Sequence, residues 1–371
     1  MSSNTRFHGD RLRLARLLSS LSLDELGERV AASRQYLHQL ETEAKSPSQD
    51  MRVALAAALG VLPSFFSFAL TSPVREDHCH FRRLSTAPRS LTSQAAARGT
   101  LVEMLVEAIE ERVRLPVVDV PDLGRPDDAE GVERAAERAR VHWRLGDEGP
   151  ITNMTRVVEN AGVVVVHLPG ISERIDALSI ARRRPIIVRA TAKKAAVRLR
   201  FDIAHECAHL VMHQGVVTGD AATEDQAHRF ASAFLIPRGA FAKEFPRSRR
   251  ALDWYGIFGM KLRWRVSARA ITRRAYDLGL IDAAQYRTAN VHLVKTGQSK
   301  VERYDDELDP ERPELLPSAV RLLRDRDPGA LPAILDQLGL CAQLVEQVLD
   351  QVPIGPRPSV TTKAADHAND D

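Results

Sequence analysis

Apolar residues between positions 11 and 66 recur every three to four residues in a series of short segments, which is the spacing of amphipathic helices. Ser22 precedes one of these segments, and Glu25 lies three residues after Ser22. This pair is typical of a helix N-terminus, because each side chain can satisfy a free backbone amide of the first turn. The pattern predicts a small all-α domain of five short helices over residues 1–70.

The sequence of the next part of the chain predicts a helical linker over residues 71–128. A long periodic segment from Ala95 to Val113 places Leu101 and Leu105 on one side of a helix. We expect a connecting helix there, with its apolar stripe as a contact in a dimer. Residues 116–128 are rich in Pro, Asp and Gly, which indicates a domain boundary.

Residues 129–290 alternate between helix and strand signals. The β-branched run from Val163 to His167 and two shorter apolar runs after it predict strands, and periodic segments on both sides predict helices. An α+β domain with a small sheet follows from this order. Residues 291–354 give a weaker signal and are expected to form a C-terminal helical extension. Residues 355–371 are polar and acidic at their end, which predicts a disordered tail.

Composition narrows the possible partners only slightly. Lys and Arg number 52 against 49 Asp and Glu in the 371 residues, so a nucleic-acid partner has to be inferred from a local site. The three cysteines lie far apart, which fits reduced thiols better than a disulfide framework. The N-terminus is polar and no apolar run is long enough to span a bilayer, so we expect a cytoplasmic protein without a membrane partner.

The strongest chemical signal is the motif H-E-x-x-H, formed by His205, Glu206 and His209. Residues four apart face the same side of a helix, so the two imidazoles can bind one Zn²⁺. Glu206 can then serve as the general base toward a water molecule. A five-residue pattern also arises by chance in long chains, so the zinc hypothesis needs a third ligand.

Glu224 is the best placed candidate for the third ligand, because it begins the next predicted helix and the loop before it contains glycines. Asp225 and His228 are the alternatives on the same helix. His213 lies eight residues beyond His205, about 12 Å along a helix axis, so one ion cannot bind both histidines.

Three runs of sequence resemble the ImmA/IrrE metallopeptidase family: Arg200 to Glu206, Glu224 to Ala231, and Leu235 to Pro237. The resemblance extends over about Val132 to Tyr286. It implies a zincin-like fold and a divalent metal, expected to be Zn²⁺. Family members cleave, or are thought to cleave, partner repressor proteins, so the resemblance also implies a protein substrate.

The family resemblance assigns roles to four residues of this chain. It implies that His205, His209 and Glu224 hold the metal, and that Glu206 is the base. His228 departs from the family pattern, which usually has Asn at the corresponding place. Such a change affects the surroundings of the ligands without removing one.

The N-terminal segments resemble the lambda-repressor/Cro-like (XRE) helix-turn-helix family over about Arg11 to Phe66. The resemblance is carried by Leu23, Leu26 and Gly27, by the turn at Ala32 and Ser33, and by Tyr36, Leu37, Leu40 and Glu41. In that family the second helix of the motif, here Arg34 to Glu41, enters the major groove.

Candidate DNA contacts come from the start of this second helix, because Arg and Gln side chains can each make paired hydrogen bonds to base edges. They are Ser33, Arg34, Gln35, Tyr36 and Gln39. A helical dimerisation or protein-docking module is the alternative, because cations and acids nearly balance between residues 6 and 52.

Taken together, the sequence predicts a transcriptional regulator that binds an operator in double-stranded DNA as a homodimer. Its zinc-dependent metallopeptidase domain is expected to cleave a partner regulatory protein. Two alternatives stay open. The metal domain could sense a signal without catalysis, or the chain could be an antitoxin-like module that docks a partner and uses zinc only structurally.

Overall fold

The computed structural model describes residues 6–75, 78–81, 89–168, 177–190, 195–216, 218–246 and 251–349. The tail predicted at residues 355–371 lies outside them. The described residues form sixteen α-helices and one four-stranded sheet. Within this part of the chain, no helix combines the length and apolar character needed to cross a lipid bilayer.

The N-terminal module consists of four short α-helices and a 3₁₀ turn. They are α1 (Gly9–Leu18), α2 (Leu23–Val30), α3 (Arg34–Glu41), α4 (Gln49–Leu59) and the turn Pro63–Ser67. The predicted capping box is present, because Ser22 accepts the amide of Glu25 while the Glu25 carboxylate accepts the amide of Ser22. Leu12, Leu26 and Leu37 are fully buried in the module core. The helix order and packing are consistent with a helix-turn-helix.

The connection between α2 and α3 is tight. Ala31 ends α2 in the left-handed region with φ of 51°, and Ser33 already caps α3. Gly27 lies so close to this turn that a Cβ atom there would be 2.5 Å from the Ala32 carbonyl oxygen. Only glycine therefore allows this approach, and the glycine fixes how α3 leaves α2.

The long helix α5 (Arg89–Glu110) joins the N-terminal module to the sheet. The side chains of Leu101, Leu105 and Ile109 are buried in one continuous cluster with the module core and one face of the sheet. The Arg11 guanidinium on α1 reaches the Met104 sulfur of α5. The apolar stripe that the sequence suggested for a dimer contact is thus buried within the chain.

The sheet is small and mixed. Its strands are β1 (Cys79–Phe81), β2 (Val164–Leu168), β3 (Ala177–Ile180) and β4 (Ile186–Ala190), in the spatial order β1-β3-β4-β2. β2 and β4 are parallel, and β3 is antiparallel to both of its neighbours. Val164 and Val166 pack toward α5, whereas Val165 packs on the opposite side. The sheet therefore separates two hydrophobic cores.

The second core is built from helices on the other side of the sheet. They are α6 (Ala129–His142), α7 (Met154–Asn160), α8 (Ala196–Met212), α9 (Ala221–Leu235), α10 (Arg238–Glu244), α11 (Trp254–Trp264), α12 (Ala268–Asp277) and α13 (Ala283–Lys295). α8 is central, because it packs on β3 and β4 on one side and along α9 on the other. A buried ion pair between Arg274 and Glu133 ties α12 to α6.

Three further helices complete the described chain: α14 (Leu315–Arg326), α15 (Ala330–Leu338) and α16 (Ala342–Val348). The Glu159 carboxylate of α7 accepts the amides of Glu314 and Leu315 at the start of α14. At the other end of the segment, the Leu62 amide donates to the Gly339 carbonyl oxygen at 2.8 Å. The C-terminal helices therefore connect the N-terminal module to the α+β domain.

Candidate metal centre

The H-E-x-x-H motif lies in α8, which is buried along most of its length. Apolar residues around it, including Ile203, Ala204 and Val211, are fully buried and hold this helix against the sheet and α9. His205 and His209 are themselves no more than 1% exposed. Their spacing of four residues puts both imidazoles on the face of α8 that looks toward α9.

Glu224, in the first turn of α9, meets the two histidines. Its carboxylate oxygens lie 3.3 Å from His205 Nε2 and 3.4 Å from His209 Nε2, and the two Nε2 atoms are 3.2 Å apart. Zinc bonds of about 2.0–2.1 Å place the ligand atoms of a tetrahedral site about 3.3 Å from one another. The three observed distances match that spacing, so these residues fit a divalent metal ion.

The charge of Glu224 suits a ligand. Burial favours the neutral carboxyl, but hydrogen bonds to His205 and His209 outweigh burial and hold the pKa of Glu224 well below its usual range. The carboxylate is therefore ionised across the neutral range. Two imidazole nitrogens and one carboxylate oxygen form a donor set that zinc accepts.

Glu206 lies on α8 between the two histidines and is completely buried. Its Oε2 atom accepts a hydrogen bond of 2.8 Å from Ser179 Oγ on β3. Ser179, which is 27 residues away in the chain, was not among the residues predicted for the site. The alternation of β3 could have suggested it, because Ser179 is the polar residue of an otherwise apolar strand.

A chain of hydrogen bonds extends from His209 away from the metal-binding atoms. His209 Nδ1 is 2.9 Å from His213 Nδ1, and His213 Nε2 is 3.0 Å from Gln226 Oε1. The Gln226 amide in turn donates to the Pro126 carbonyl oxygen at 2.7 Å. The series ends on a carbonyl oxygen, which can only accept a hydrogen bond, and this fixes the orientation of every group before it.

The hydrogen-bond direction sets the tautomer of His209. His213 donates from Nε2 and accepts at Nδ1, so the Nδ1 atom of His209 carries a proton, and Nε2 is the atom of His209 left to bind a metal. Burial lowers the pKa of His213 to about 4, which keeps it neutral. His213 is not part of the group formed by His205, His209 and Glu224. Its position four residues after His209 could have suggested this supporting role.

The metal group, formed by His205, His209 and Glu224, includes neither of the two alternative ligands. Asp225 is exposed on α9. His228 is also exposed, with its ring 4.8 Å from Phe201 and 6.5 Å from His205 between centroids. His228 therefore borders the site at its solvent side. Cys207 inside the motif is buried, and burial raises the pKa of its thiol, so it packs as a neutral side chain.

Two of the candidate DNA contacts lie on the exposed surface of α3. Arg34 and Gln35 are exposed, whereas Leu37 and Leu40 on the opposite face are fully buried. Arg34 makes a surface ion pair with Asp24 at 3.1 Å. Such exposed pairs contribute little energy, so Arg34 can exchange Asp24 for another anion.

The other three candidates have more local contacts. Ser33 Oγ accepts the amide of Tyr36, so its hydroxyl caps α3. Tyr36 is half-buried against the module core, with the Lys45 ammonium 5.9 Å above its ring. Gln39 is half-buried one turn after Gln35. The exposed part of this surface is therefore concentrated at the start of α3.

Comparison of the chain with curated proteins gave no significant match. One family model matches residues 158–276, and its description is IrrE N-terminal-like domain. The matched range includes β2 to β4, α8 and α9, and therefore all three residues of the metal group together with Glu206. This central part of the chain is thus similar to the IrrE/ImmA peptidase family, in which a metal ion is typically required.

Proposed function

We propose that this chain is a DNA-binding transcriptional regulator that carries a zinc-dependent peptidase domain, and that the peptidase cleaves a partner regulatory protein. The main support for the peptidase activity is that His205, His209 and Glu224 lie close together, next to Glu206 on the same helix as the two histidines. The similarity of residues 158–276 to a peptidase family supports the same conclusion.

The residues around the metal position have distinct roles in this proposal. When bound, zinc supplies Lewis-acid polarisation of the scissile carbonyl. Glu206 accepts the proton of the attacking water at Oε1 and passes it to the leaving amine. Ser179 holds Oε2 of the same carboxylate, so the carboxylate cannot rotate away from the reacting atoms.

Substrate access is supported by the exposure of the α9 side of the site. Glu224 keeps 23% of its side-chain surface exposed, whereas the two histidines are buried. His228, one turn after Glu224, is exposed at the same rim. In this proposal a peptide substrate approaches the site from the α9 side, where Glu224 and His228 are exposed.

DNA binding is supported by the surface of α3. A helix that buries Leu37 and Leu40 and exposes Arg34 and Gln35 at its N-terminal end presents donors and acceptors suited to the major groove. In this proposal residues 1–70 bind DNA and residues 129–290 form the peptidase domain. Residues 71–128 link the two domains, and the chain acts as a homodimer on its operator.

The peptidase activity can be tested with the zinc-loaded full-length protein and a library of host-derived proteins. New peptide termini are identified by mass spectrometry. We expect them with the wild type and none with Glu206→Gln, which keeps all three ligands. Equal cleavage by Glu206→Gln would contradict the proposal. No cleavage by either protein, together with DNA binding that depends on zinc, would favour the non-catalytic sensor.

DNA binding can be tested by selection from a random duplex library, followed by affinity measurements at fixed salt. We expect Arg34→Ala and Gln35→Ala each to weaken binding to the selected site by roughly tenfold, the effect of losing one base contact. Arg134→Ala, an exposed arginine on α6, is the matched control. If no sequence is selected, the proposed DNA binding is contradicted, and the proposed peptidase activity is unaffected.

A further inference from the structure

The short strand β1 lies at the edge of the sheet that is next to the candidate metal centre. The strand order is β1-β3-β4-β2, so β1 and β2 form the two edges among the described strands. β3 carries Ser179, whose hydroxyl contacts the Glu206 carboxylate, and β4 separates β3 from the β2 edge. Neighbouring strands lie about 4.8 Å apart. β1 therefore occupies the position directly beside the strand that contacts Glu206.

The register of β1 places it opposite this contact. His80 is the partner of Ser179, and Cys79 is the partner of Ile180, in an antiparallel pair. The Ala181 amide donates to the His78 carbonyl oxygen at 3.4 Å, which continues the pairing by one residue. An extended peptide that adds a strand to a sheet needs an unpaired edge. On this side of β3, the chain itself already uses that edge.

The residues of the candidate centre have little exposure in this arrangement. Glu206 and His209 are completely buried and His205 is only 1% exposed, so the exposed part of the centre is at Glu224. The Glu206 carboxylate therefore needs an opening before a peptide can reach it. β1 has three residues, fewer than any other strand of the sheet. A short edge strand makes few backbone hydrogen bonds and is among the first elements to open locally.

Arg182, two residues after the end of β3, holds the chain that leads into β1. Its guanidinium donates to Ser72 Oγ and, at 3.3 Å, to the Pro73 carbonyl oxygen. The same guanidinium lies 3.3 Å from His78 Nδ1 and makes a 3.0 Å ion pair with Glu103 of α5. One side chain thus joins the end of β3 to residues on the N-terminal side of β1. Loss of this side chain should favour release of β1.

We propose that β1 occupies the position of an extended peptide substrate, so that the arrangement described above is the closed form of the peptidase. A substrate strand has to displace β1 and then pairs antiparallel with β3, as β1 does. The partner that this edge fits is therefore a peptide segment in extended conformation. This inference rests on the proposed peptidase function, because it concerns access to the same centre.

The test is the binding of a peptide hydroxamate, acetyl-Ala-Ala-Leu-NHOH, to the zinc-loaded full-length protein, measured by titration calorimetry. A hydroxamate binds zinc without being cleaved, so its affinity reports access to the centre independently of hydrolysis. Arg182→Ala should bind the probe roughly tenfold more tightly than the wild type, because apparent affinity rises with the fraction of open chains. Arg183→Ala is the matched control, because this neighbouring arginine pairs with Glu110 of α5. It should bind the probe as the wild type does.

A cross-link provides the opposite change. Cys79 and Ile180 face each other and are buried in the same apolar cluster. The hydrogen bond between Ala181 and His78 makes them a pair without mutual hydrogen bonds, for which Cα atoms lie about 4.5 Å apart, within disulfide range. Ile180→Cys therefore allows the natural Cys79 to form a disulfide that fixes β1 on β3.

The oxidised Ile180→Cys protein should bind the hydroxamate at least roughly tenfold more weakly than its reduced form, because fewer chains are open. Ile180→Cys combined with Cys79→Ala controls for oxidation elsewhere and should not respond. The inference is overturned if the oxidised and reduced forms bind equally. It is also overturned if Arg182→Ala binds no more tightly than Arg183→Ala, including the case in which no protein binds. If binding changes as expected but no variant cleaves a peptide, the closed form stands and the proposed catalysis fails.

Discussion

Ser179 Oγ donates a hydrogen bond of 2.8 Å to Glu206 Oε2 across the buried interface between β3 and α8. Ser179 is itself completely buried, and its backbone is fixed by pairing with Ile187 on β4. The sheet thus sets the orientation of the carboxylate that we assign as general base.

Ser179→Ala should lower kcat for peptide hydrolysis by about tenfold, because the Glu206 carboxylate loses a hydrogen bond to a charged acceptor and gains rotational freedom. Metal content should not change, because no ligand is touched. Steady-state kinetics and metal analysis measure the two effects. Ser232→Ala, a buried serine of α9, is the control. Unchanged kcat in Ser179→Ala would show that the contact does not orient the base.

Gln226→Ala should weaken zinc binding without removing a ligand. It breaks the series of hydrogen bonds that holds the proton of His209 on Nδ1, and loss of such supporting contacts typically costs about 10- to 100-fold in metal affinity. Competition with a chelator measures the affinity. Gln214→Ala is the control, because Gln214 is also a glutamine close to His213 but donates to the nearby Leu210 carbonyl oxygen. Equal affinities for the two variants would refute the supporting role.

Glu159 should make stability depend on pH. Burial raises the pKa of Glu159 to about 7, although the amides of Leu315 and Glu314 act in the opposite direction. Between about pH 4.5 and 7 the folded chain keeps a proton that the unfolded chain has released. Stability from this group is therefore fully present below about pH 4.5 and is lost as the pH rises to 7.

The predicted loss between these pH values is on the order of 3 kcal/mol in the free energy of unfolding. Urea unfolding at both ends of the range measures it. Glu159→Gln cannot titrate, so its stability should fall less over the same range than that of the wild type. A wild type and a variant with parallel pH profiles would show that Glu159 is ionised in the folded chain.

The motif helix, and the position of Glu224 beside its two histidines, could be predicted from sequence because the relevant information is local. His205 and His209 are one helical turn apart, and Glu224 stands at the start of the next amphipathic segment. Once two consecutive helices pack side by side, these residues meet. The same local rules predicted the cap at Ser22, which the structure contains.

Features that depend on distant pairing could not be predicted. β1 has three residues and forms only by pairing with β3, a strand almost a hundred positions away along the chain. The helices α14 to α16 were predicted only weakly. Contacts with distant parts of the chain hold this segment in place, among them the Glu159 carboxylate and a buried ion pair between Arg200 and Glu311. The residues that cover the apolar stripe of α5 could not be predicted either, because helical periodicity shows which side of a helix is buried but not what packs against it.

We propose that His205, His209 and Glu224 together bind one divalent ion. Metal analysis of purified protein by mass spectrometry, with wild type, Glu224→Ala and Asp225→Ala prepared in parallel, tests it most directly. Asp225 is the exposed neighbour of Glu224 on the same turn of α9, so it controls for loss of a carboxylate. We predict about one zinc ion per chain in the wild type and in Asp225→Ala, and a large loss in Glu224→Ala, which keeps only two of the three protein ligands. Full zinc occupancy in a folded Glu224→Ala protein would contradict the account.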